Sequence, residues 1–387
     1  MLSQHRPSGA TLPDPGRPNQ SVPLTDLNAA HGPLRAKLVA AFERVLDSGR
    51  FVSGDEVAAF ETEMAEYVGV AHAVAVGSGT AALTLALMGA GIGPGDEVIV
   101  PANTFFATAE AVVAVGAVPV LADVDTRSAS IDPQSVASMV TDRTAAIVAV
   151  HLYGHPVDLD GLRKVAARKR LFLLEDAAQA MGASWQGRPV GSLGDAAAFS
   201  FFPTKNLGGL GEGGAVTTSD HQLAQRIRHL RSHGEAVKNV NQVMAFNERL
   251  DEIQAALLMV KLPHLAEELA ERDSVVGLYE ALLGEVPAVT MLATPALARS
   301  AHHLMVVKVP DRDRVLAELH AEGIGAGVHY PTPVHLQPAW QSSGMPPCDL
   351  PHAEGLARSV LSLPLYGQMS SGQVEKCVDA LAKAVGR

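Results

Sequence analysis

Asp195-Ala196-Ala197-Ala198-Phe199-Ser200-Phe201-Phe202-Pro203-Thr204-Lys205-Asn206-Leu207-Gly208-Gly209 is the stretch on which the fold turns. Its first half is small-apolar and aromatic, the pattern of a buried strand. Its second half is a turn punctuated by Pro and Gly, with one lysine in the middle. Lys205 therefore sits where a hydrophobic strand gives way to a tight loop, the place where α/β proteins hold ligands. A desolvated lysine loses part of its preference for the ammonium form. A nucleophile near neutral pH needs the amine lowered from about 10.4 to about 7–8. A surface lysine on an ordinary turn is the other reading of this stretch taken alone.

The preceding chain alternates strand and helix with short links. Ala71–Val76 reads as a strand and Ala81–Met88 as a helix. Glu97–Val100, Val118–Val124, Ala145–Val150 and Leu171–Glu175 read as further strands, with helices over Asn103–Val115, Pro133–Val140 and Leu159–Lys169. Such alternation predicts a mostly parallel sheet covered on both faces. After Gly213–Thr218 (strand) and Gln222–Arg231 (helix) the composition shifts. Arg249–Leu269 reads as one long helix, followed by an α+β lobe with strands at His302–Val309 and Ile324–Tyr330 and helices at Asp311–Glu322 and Gly372–Val385. Leu34–Leu46 and Glu56–Tyr67 carry apolar residues at helical spacing. The expected division is a Pro-, Ser- and Gly-rich disordered tail over 1–20, a large cofactor-binding domain with an N-terminal helical segment over 21–255, and a small α+β domain over 256–387.

Bulk composition narrows the classes. Of 387 residues, 47% are hydrophobic and 18% charged, enough for a sizeable core. A net charge of −11 argues against a nucleic-acid binder. Two cysteines, Cys348 and Cys377, make no disulfide framework and point to a reducing, cytoplasmic setting. No window has the apolar length of a membrane span, and the N-terminus lacks the apolar core of a secretory signal. No His/Cys/Asp cluster has metal-ligand spacing. The Gly77-Ser78-Gly79-Thr80 loop carries neither a GxGxxG fingerprint nor a Walker A sequence, and the chain has no GxSxG elbow.

Four features form a constellation. Gly77-Ser78-Gly79-Thr80 joins a strand to a helix start, where backbone amides and the helix dipole face an anion; a plain N-cap is the alternative. Phe105 follows a strand end and either covers a flat ring or packs in the core. Asp176 ends a buried strand and either meets a cation or several N–H donors in the crevice, or caps the helix that follows. Gln179 lies one turn beyond, if a helix begins at once. With Lys205, these fit pyridoxal 5'-phosphate, which has a phosphate, a flat ring, a ring nitrogen that takes an anionic partner and an aldehyde that takes an amine.

Beyond these, Pro101-Ala102-Asn103-Thr104-Phe105, His151-Leu152-Tyr153-Gly154-His155-Pro156, Glu175-Asp176-Ala177-Ala178-Gln179-Ala180, Asn247-Glu248-Arg249-Leu250-Asp251-Glu252, His329-Tyr330-Pro331 and Leu361-Ser362-Leu363-Pro364-Leu365 occur in order. As a set they resemble the DegT/DnrJ/EryC1/StrS sugar aminotransferases, of aspartate aminotransferase fold type I, from about Val22 to Ala384. The resemblance implies that Lys205 forms the Schiff base and shuttles a proton. Asp176 would pair with the pyridine nitrogen, Gln179 would lie near the ring hydroxyl, and Phe105 would stack on the ring. The Gly79 and Thr80 amides and the Ser200 hydroxyl would hold the phosphate. Asn247 is similar to a family asparagine that reaches the phosphate across a dimer interface, implying a homodimer with shared sites. His329 and Tyr330 would lie near the sugar. Met181 stands where the family often has His, and Ala245-Phe246-Asn247 where it often has Gly-Tyr-Asn.

The implied reaction is transfer of an amino group from an amino acid, L-glutamate, to a nucleotide-linked keto-deoxysugar, with the 3-keto position favoured over the 4-keto on the His-Leu-Tyr-Gly-His-Pro stretch. A keto-cyclitol aminotransferase of the scyllo-inosose type uses the same residues. Dehydratases of this fold replace the lysine with histidine, so Lys205 speaks against them. A non-catalytic regulator would show a basic face or a helix-turn-helix.

Overall fold

The protein is described by a computed structural model that covers residues 21–386; the tail expected over 1–20 lies outside them. Seven strands form the main sheet: β1 (His72–Val76), β2 (Glu97–Pro101), β3 (Val118–Ala122), β4 (Thr144–Val150), β5 (Phe172–Asp176), β6 (Ala196–Ser200) and β7 (Gly214–Thr218). Their order is β1-β7-β6-β5-β4-β2-β3. Only β7 runs antiparallel to its neighbours, so β1 and β6 on either side of it point the same way. The carboxyl ends of β1, β4, β5 and β6 thus open on one edge, with Val150 level with Asp176 and Asp176 level with Ala198.

Period-two patterning sends each strand's side chains to opposite faces of the sheet. Val74, Val76, Val98, Val100 and Val148 pack with the helix Gly79–Gly89 and Leu223, Ala224 and Ile227 of the helix His221–Leu230. Ala73, Ala75, Ala197 and Phe199 face the other way, onto Val57, Phe60 and Met64 of the helix Asp55–Val68. Burial on both faces is why these strands read as continuous apolar runs.

A separate core lies beyond the main sheet. Three antiparallel strands, β8 (Thr290–Met291), β9 (Met305–Lys308) and β10 (Val360–Leu363), stand in the order β8-β9-β10. Met305, Val307, Leu361 and Leu363 pack against Val315 and Leu319, and against Val374, Cys377 and Leu381 of the helix Ser371–Ala384. Val22 joins this core, its backbone bonded to Gly323 and Gly325. Among the described residues no helix is long and apolar enough to cross a membrane.

Two sequence expectations change. The single long helix over Arg249–Leu269 is two helices, Glu252–Lys261 and Leu265–Leu283, hinged by a 3-10 turn at Leu262–His264. Pro263 supplies no amide hydrogen for a continuous helix, which forces the hinge. The strand expected over Ile324–Tyr330 is extended chain with isolated bridges, Val22 to Ile324 and Gly327 to Ser362. It links the N-terminal segment to the small sheet and joins no ladder.

Candidate active site

A cavity of about 510 Å³ opens at the shared strand edge. It brings together Gly79, Thr80, Phe105, Asp176, Gln179, Ser200, Lys205, His329 and Tyr330. Asn247 is not among its walls: it is exposed on the surface, its backbone bridged to Ser232.

Lys205 is presented by a constrained turn. Its amide bonds the Phe202 carbonyl at 2.8 Å, and the Gly209 amide returns to the Phe201 carbonyl at 2.7 Å. The side-chain amide of Asn206 donates to the Ala301 carbonyl at 2.7 Å. Gly208 is required by close approach, because a Cβ there would lie 2.2 Å from the Pro203 oxygen. The Lys205 amine faces the cavity, where burial draws it down to about 8 against the opposing pull of Asp176. The surface-turn reading of this lysine therefore fails.

Successive residues of a strand point to opposite sides, and the two carboxylates at the end of β5 divide accordingly. Glu175 turns away from the cavity. It accepts from the amides of Gly191 (3.0 Å), Leu193 (2.8 Å) and Gly194 (2.7 Å), and from His151 Nε2 at 3.0 Å. His151 Nδ1 accepts from the Val157 amide, which leaves the ring proton on Nε2 for Glu175. Burial pushes the Glu175 carboxyl up, but His151 and these amides outweigh it and hold it below the usual range. Asp176 turns into the cavity. Its Oδ2 accepts from the Thr108 hydroxyl at 2.8 Å and its Oδ1 from the Ala178 amide at 3.2 Å. Burial raises its carboxyl pKa despite these donors, so the site favours a cation beside it.

No helix follows β5; the chain makes turns through Ala178 and Gln179. The turn still delivers Gln179. Its Oε1 accepts from the Tyr153 amide at 2.7 Å and its Nε2 donates to the Tyr330 hydroxyl at 3.2 Å, which fixes both faces of the amide.

At the other end of the cavity begins the helix Gly79–Gly89. Ser78 caps it by accepting from the Ala81 amide at 3.0 Å. The amides of Gly79 and Thr80 have no partner within the helix, so the stretch is an N-cap that also leaves two amides free to take an anion. Ser200 presses against it: a Cβ at Gly79 would lie 2.7 Å from the Ser200 Cβ. Phe105 and Phe106 separate in role. Phe105 is 56% exposed, on the cavity, with its ring 5.7 Å from that of Tyr330; Phe106 packs onto the core.

His329 is held by Ser362, Nδ1 to Oγ at 2.8 Å, and burial with the nearby Lys205 charge lowers it to about 4. It stays a neutral ring at working pH. Thr108, His151 and His303 also line the cavity and were given no site role from the sequence. His151 directly follows β4, but Thr108 lies within a helix and His303 fell inside the strand expected over His302–Val309, so position alone did not mark them.

These walls fit pyridoxal 5'-phosphate. A helix start with free amides and a serine hydroxyl takes a phosphate, a tilted aromatic covers a flat ring, a buried carboxylate takes a protonated ring nitrogen, and a lowered amine takes an aldehyde.

Comparison with known proteins agrees. The model of the DegT/DnrJ/EryC1/StrS aminotransferase family matches residues 34–382. The chain is 49% identical over 360 residues to the erythromycin biosynthesis sensory transduction protein EryC1 of Saccharopolyspora erythraea, covering 93% of this chain and 98% of that one. It is 46% identical over 360 residues to a dTDP-3-amino-3,4,6-trideoxy-alpha-D-glucose transaminase of Streptomyces venezuelae, covering 93% and 95%. The crystal structure of S. venezuelae DesV in complex with a ketimine intermediate superposes with a TM-score of 0.93 at 45% identity, covering 95% of this chain and all of that one. The chain belongs to the DegT/DnrJ/EryC1/StrS family and is a pyridoxal-phosphate-dependent aminotransferase.

Proposed function

We propose that the protein moves an amino group from L-glutamate to the 3-keto carbon of a nucleotide-linked keto-deoxysugar, in two half-reactions that share one cavity. The meeting of the Lys205 amine, the Asp176 carboxylate and the Gly79–Thr80 helix start in that cavity carries the reading. The 46% identity to a transaminase named for a 3-amino sugar supports the choice of carbon.

When bound, pyridoxal 5'-phosphate supplies an electron-accepting ring and an aldehyde that stores the amino group between half-reactions. The chain's own residues do the rest. The Lys205 amine would hold the aldehyde carbon and, once displaced by substrate nitrogen, take and return the proton at the reacting carbon. Asp176 would keep the ring nitrogen protonated. The Gly79 and Thr80 amides and the Ser200 hydroxyl would bind the phosphate, Phe105 would cover the ring, and the Gln179 amide would face the ring hydroxyl. His329 and Tyr330 would meet the sugar as a neutral ring and a neutral phenol, since burial also raises the Tyr330 hydroxyl.

Reaction of the protein with a panel of nucleotide keto sugars and 15N-glutamate, read by mass, tests the substrate. Label in a 3-amino product is expected. Label only in a cyclitol would replace this reading with the keto-cyclitol one, and no transfer to any acceptor would revive a regulatory role of the kind that EryC1's name describes.

The amine also predicts a pH dependence. Lys205 attacks only when neutral, above its pKa. Capture of added pyridoxal 5'-phosphate by the cofactor-free protein, followed by stopped-flow absorbance, should accelerate with rising pH and level off just above about 8. A rate still climbing above pH of about 10, the range of an ordinary lysine, would place the amine in bulk water.

The active unit proposed is a homodimer whose Asn247 reaches the neighbouring cavity. Asn247 lies outside its own chain's cavity, beside exposed apolar side chains: Met244 is 93% and Phe246 41% exposed. Such patches are expected to be covered. Mixing Asn247→Ala and Lys205→Ala subunits should restore part of the activity that each homodimer lacks, because one of the two hybrid sites carries neither lesion. Verified heterodimers without recovery would confine Asn247 to its own chain.

A further inference from the structure

Behind Asp176 runs a short hydroxyl chain that none of the roles above uses. Thr108 is the second residue of the helix Ala107–Ala114, and Thr104 lies one turn before it in the approach to that helix. Both are buried, at 1% and 4% exposure. The Thr104 and Thr108 hydroxyls are 2.9 Å apart, and Thr108 stands 2.8 Å from Asp176 Oδ2. The proton order is fixed by chemistry. An ionised carboxylate only accepts, so Thr108 donates to Asp176, and its remaining lone pair accepts from Thr104.

We propose that Thr108, backed by Thr104, is a positioning residue that aims the Asp176 carboxylate at the cofactor ring nitrogen and keeps it ionised. The inference rests on the reading of Asp176 as the ring partner. Geometry and hydrogen-bond chemistry support it. Among the described residues, Oδ2 has Thr108 as its only side-chain donor and Oδ1 has only the Ala178 amide, at a longer 3.2 Å. Two donors at two oxygens fix the plane of the carboxylate, whereas the amide alone leaves it free to rotate. Hydrogen bonds that polarise one another in a dry site strengthen in series, and a donor that itself accepts is a better donor. Both threonines come from the loop and helix start that also bring Phe105 to the cavity, so the face of the ring and the tip of its nitrogen would be set by one segment.

A role through the carboxylate differs from a general packing role in what it discriminates. A packing defect weakens every ligand of the cavity. A misaimed Asp176 weakens only ligands whose ring carries a nitrogen. The experiment therefore measures dissociation constants of the cofactor-free full-length protein, by fluorescence titration, for pyridoxal 5'-phosphate and for its carbocyclic analogue in which the ring nitrogen is a C–H.

Wild-type protein should prefer the natural cofactor. Thr108→Val, which keeps the shape and removes the hydroxyl, should lose about tenfold or more in affinity for it, as expected for a hydrogen bond to a charged group. Its affinity for the analogue should stay within about twofold, since no nitrogen meets the carboxylate. Thr108→Ser should recover most of the preference. Thr104→Val provides an independent reading if Thr108→Val does not fold. It leaves the bond to Asp176 in place, so its loss should be smaller and equally confined to the natural cofactor.

Equal weakening of both ligands in the valine variants, or weakening of neither, overturns the positioning role. A wild-type protein that binds cofactor and analogue alike overturns the pairing of Asp176 with the ring nitrogen itself. The two failures are thus told apart by the wild-type titration alone.

Discussion

Lys205→Ala should lower turnover by about 10⁴-fold or more while leaving the fold intact. The magnitude combines two losses, the covalent anchor and the proton carrier, and general acid–base catalysis alone accounts for about 10²–10⁴-fold. The fold should survive because the turn is held by backbone bonds and by Asn206, not by the lysine side chain. The variant should still bind pyridoxal 5'-phosphate through the helix start, with the absorbance of the free aldehyde in place of that of a lysine-bound cofactor. Lys205→Arg separates charge from nucleophilicity: it keeps a cation beside Asp176 and should be as inactive as the alanine variant. An added small primary amine should restore a measurable part of the alanine variant's activity and none of the arginine variant's, where the guanidinium fills the space. An alanine variant within about tenfold of wild-type turnover would remove covalent chemistry at this position.

The large sheet was legible because its physics is local. Small and β-branched runs bounded by glycine and proline mark strands buried on both faces, and all seven strands of the main sheet lie within a residue or two of where the pattern puts them. The site was legible in part for the same reason, since a chemical residue at a strand end in such a fold faces the crevice. What escaped detection depends on contacts distant in sequence. The hairpin Ser184–Trp185 and Arg188–Pro189 is two residues a side and is completed by Ala298–Arg299, more than a hundred residues away. Its turn, Gln186-Gly187, has positive φ at both positions, 50° and 74°, and only the glycine hints at it. Thr108 looked like any helix residue, because its meaning comes from Asp176, 68 positions away. The break at Pro263 was visible in the residue itself; continuous apolar spacing on both sides outweighed it in the reading.

Asp176→Asn carries the second largest expected loss, and its value lies in moving two quantities in opposite directions. The substitution keeps the volume of the side chain and an acceptor for the Thr108 hydroxyl, but removes the charge. If the carboxylate holds a proton on the ring nitrogen, turnover should fall by about 10²–10³-fold, the scale of losing one partner of a buried charge pair. The same charge acts on the lysine. Asp176 raises the Lys205 amine against the downward pull of burial, which leaves it at about 8. Without that carboxylate burial acts alone, so the amine titrates lower. The pH profile of cofactor capture should then shift to lower pH, and at neutral pH a larger fraction of Lys205 is ready to react. Slower turnover together with an earlier-titrating amine is a signature that general damage to the cavity does not produce. Damage lets water in, and a hydrated lysine titrates higher, toward the ordinary range. A capture profile that moves up in pH, or does not move, would mean that Asp176 and Lys205 do not share one dry site.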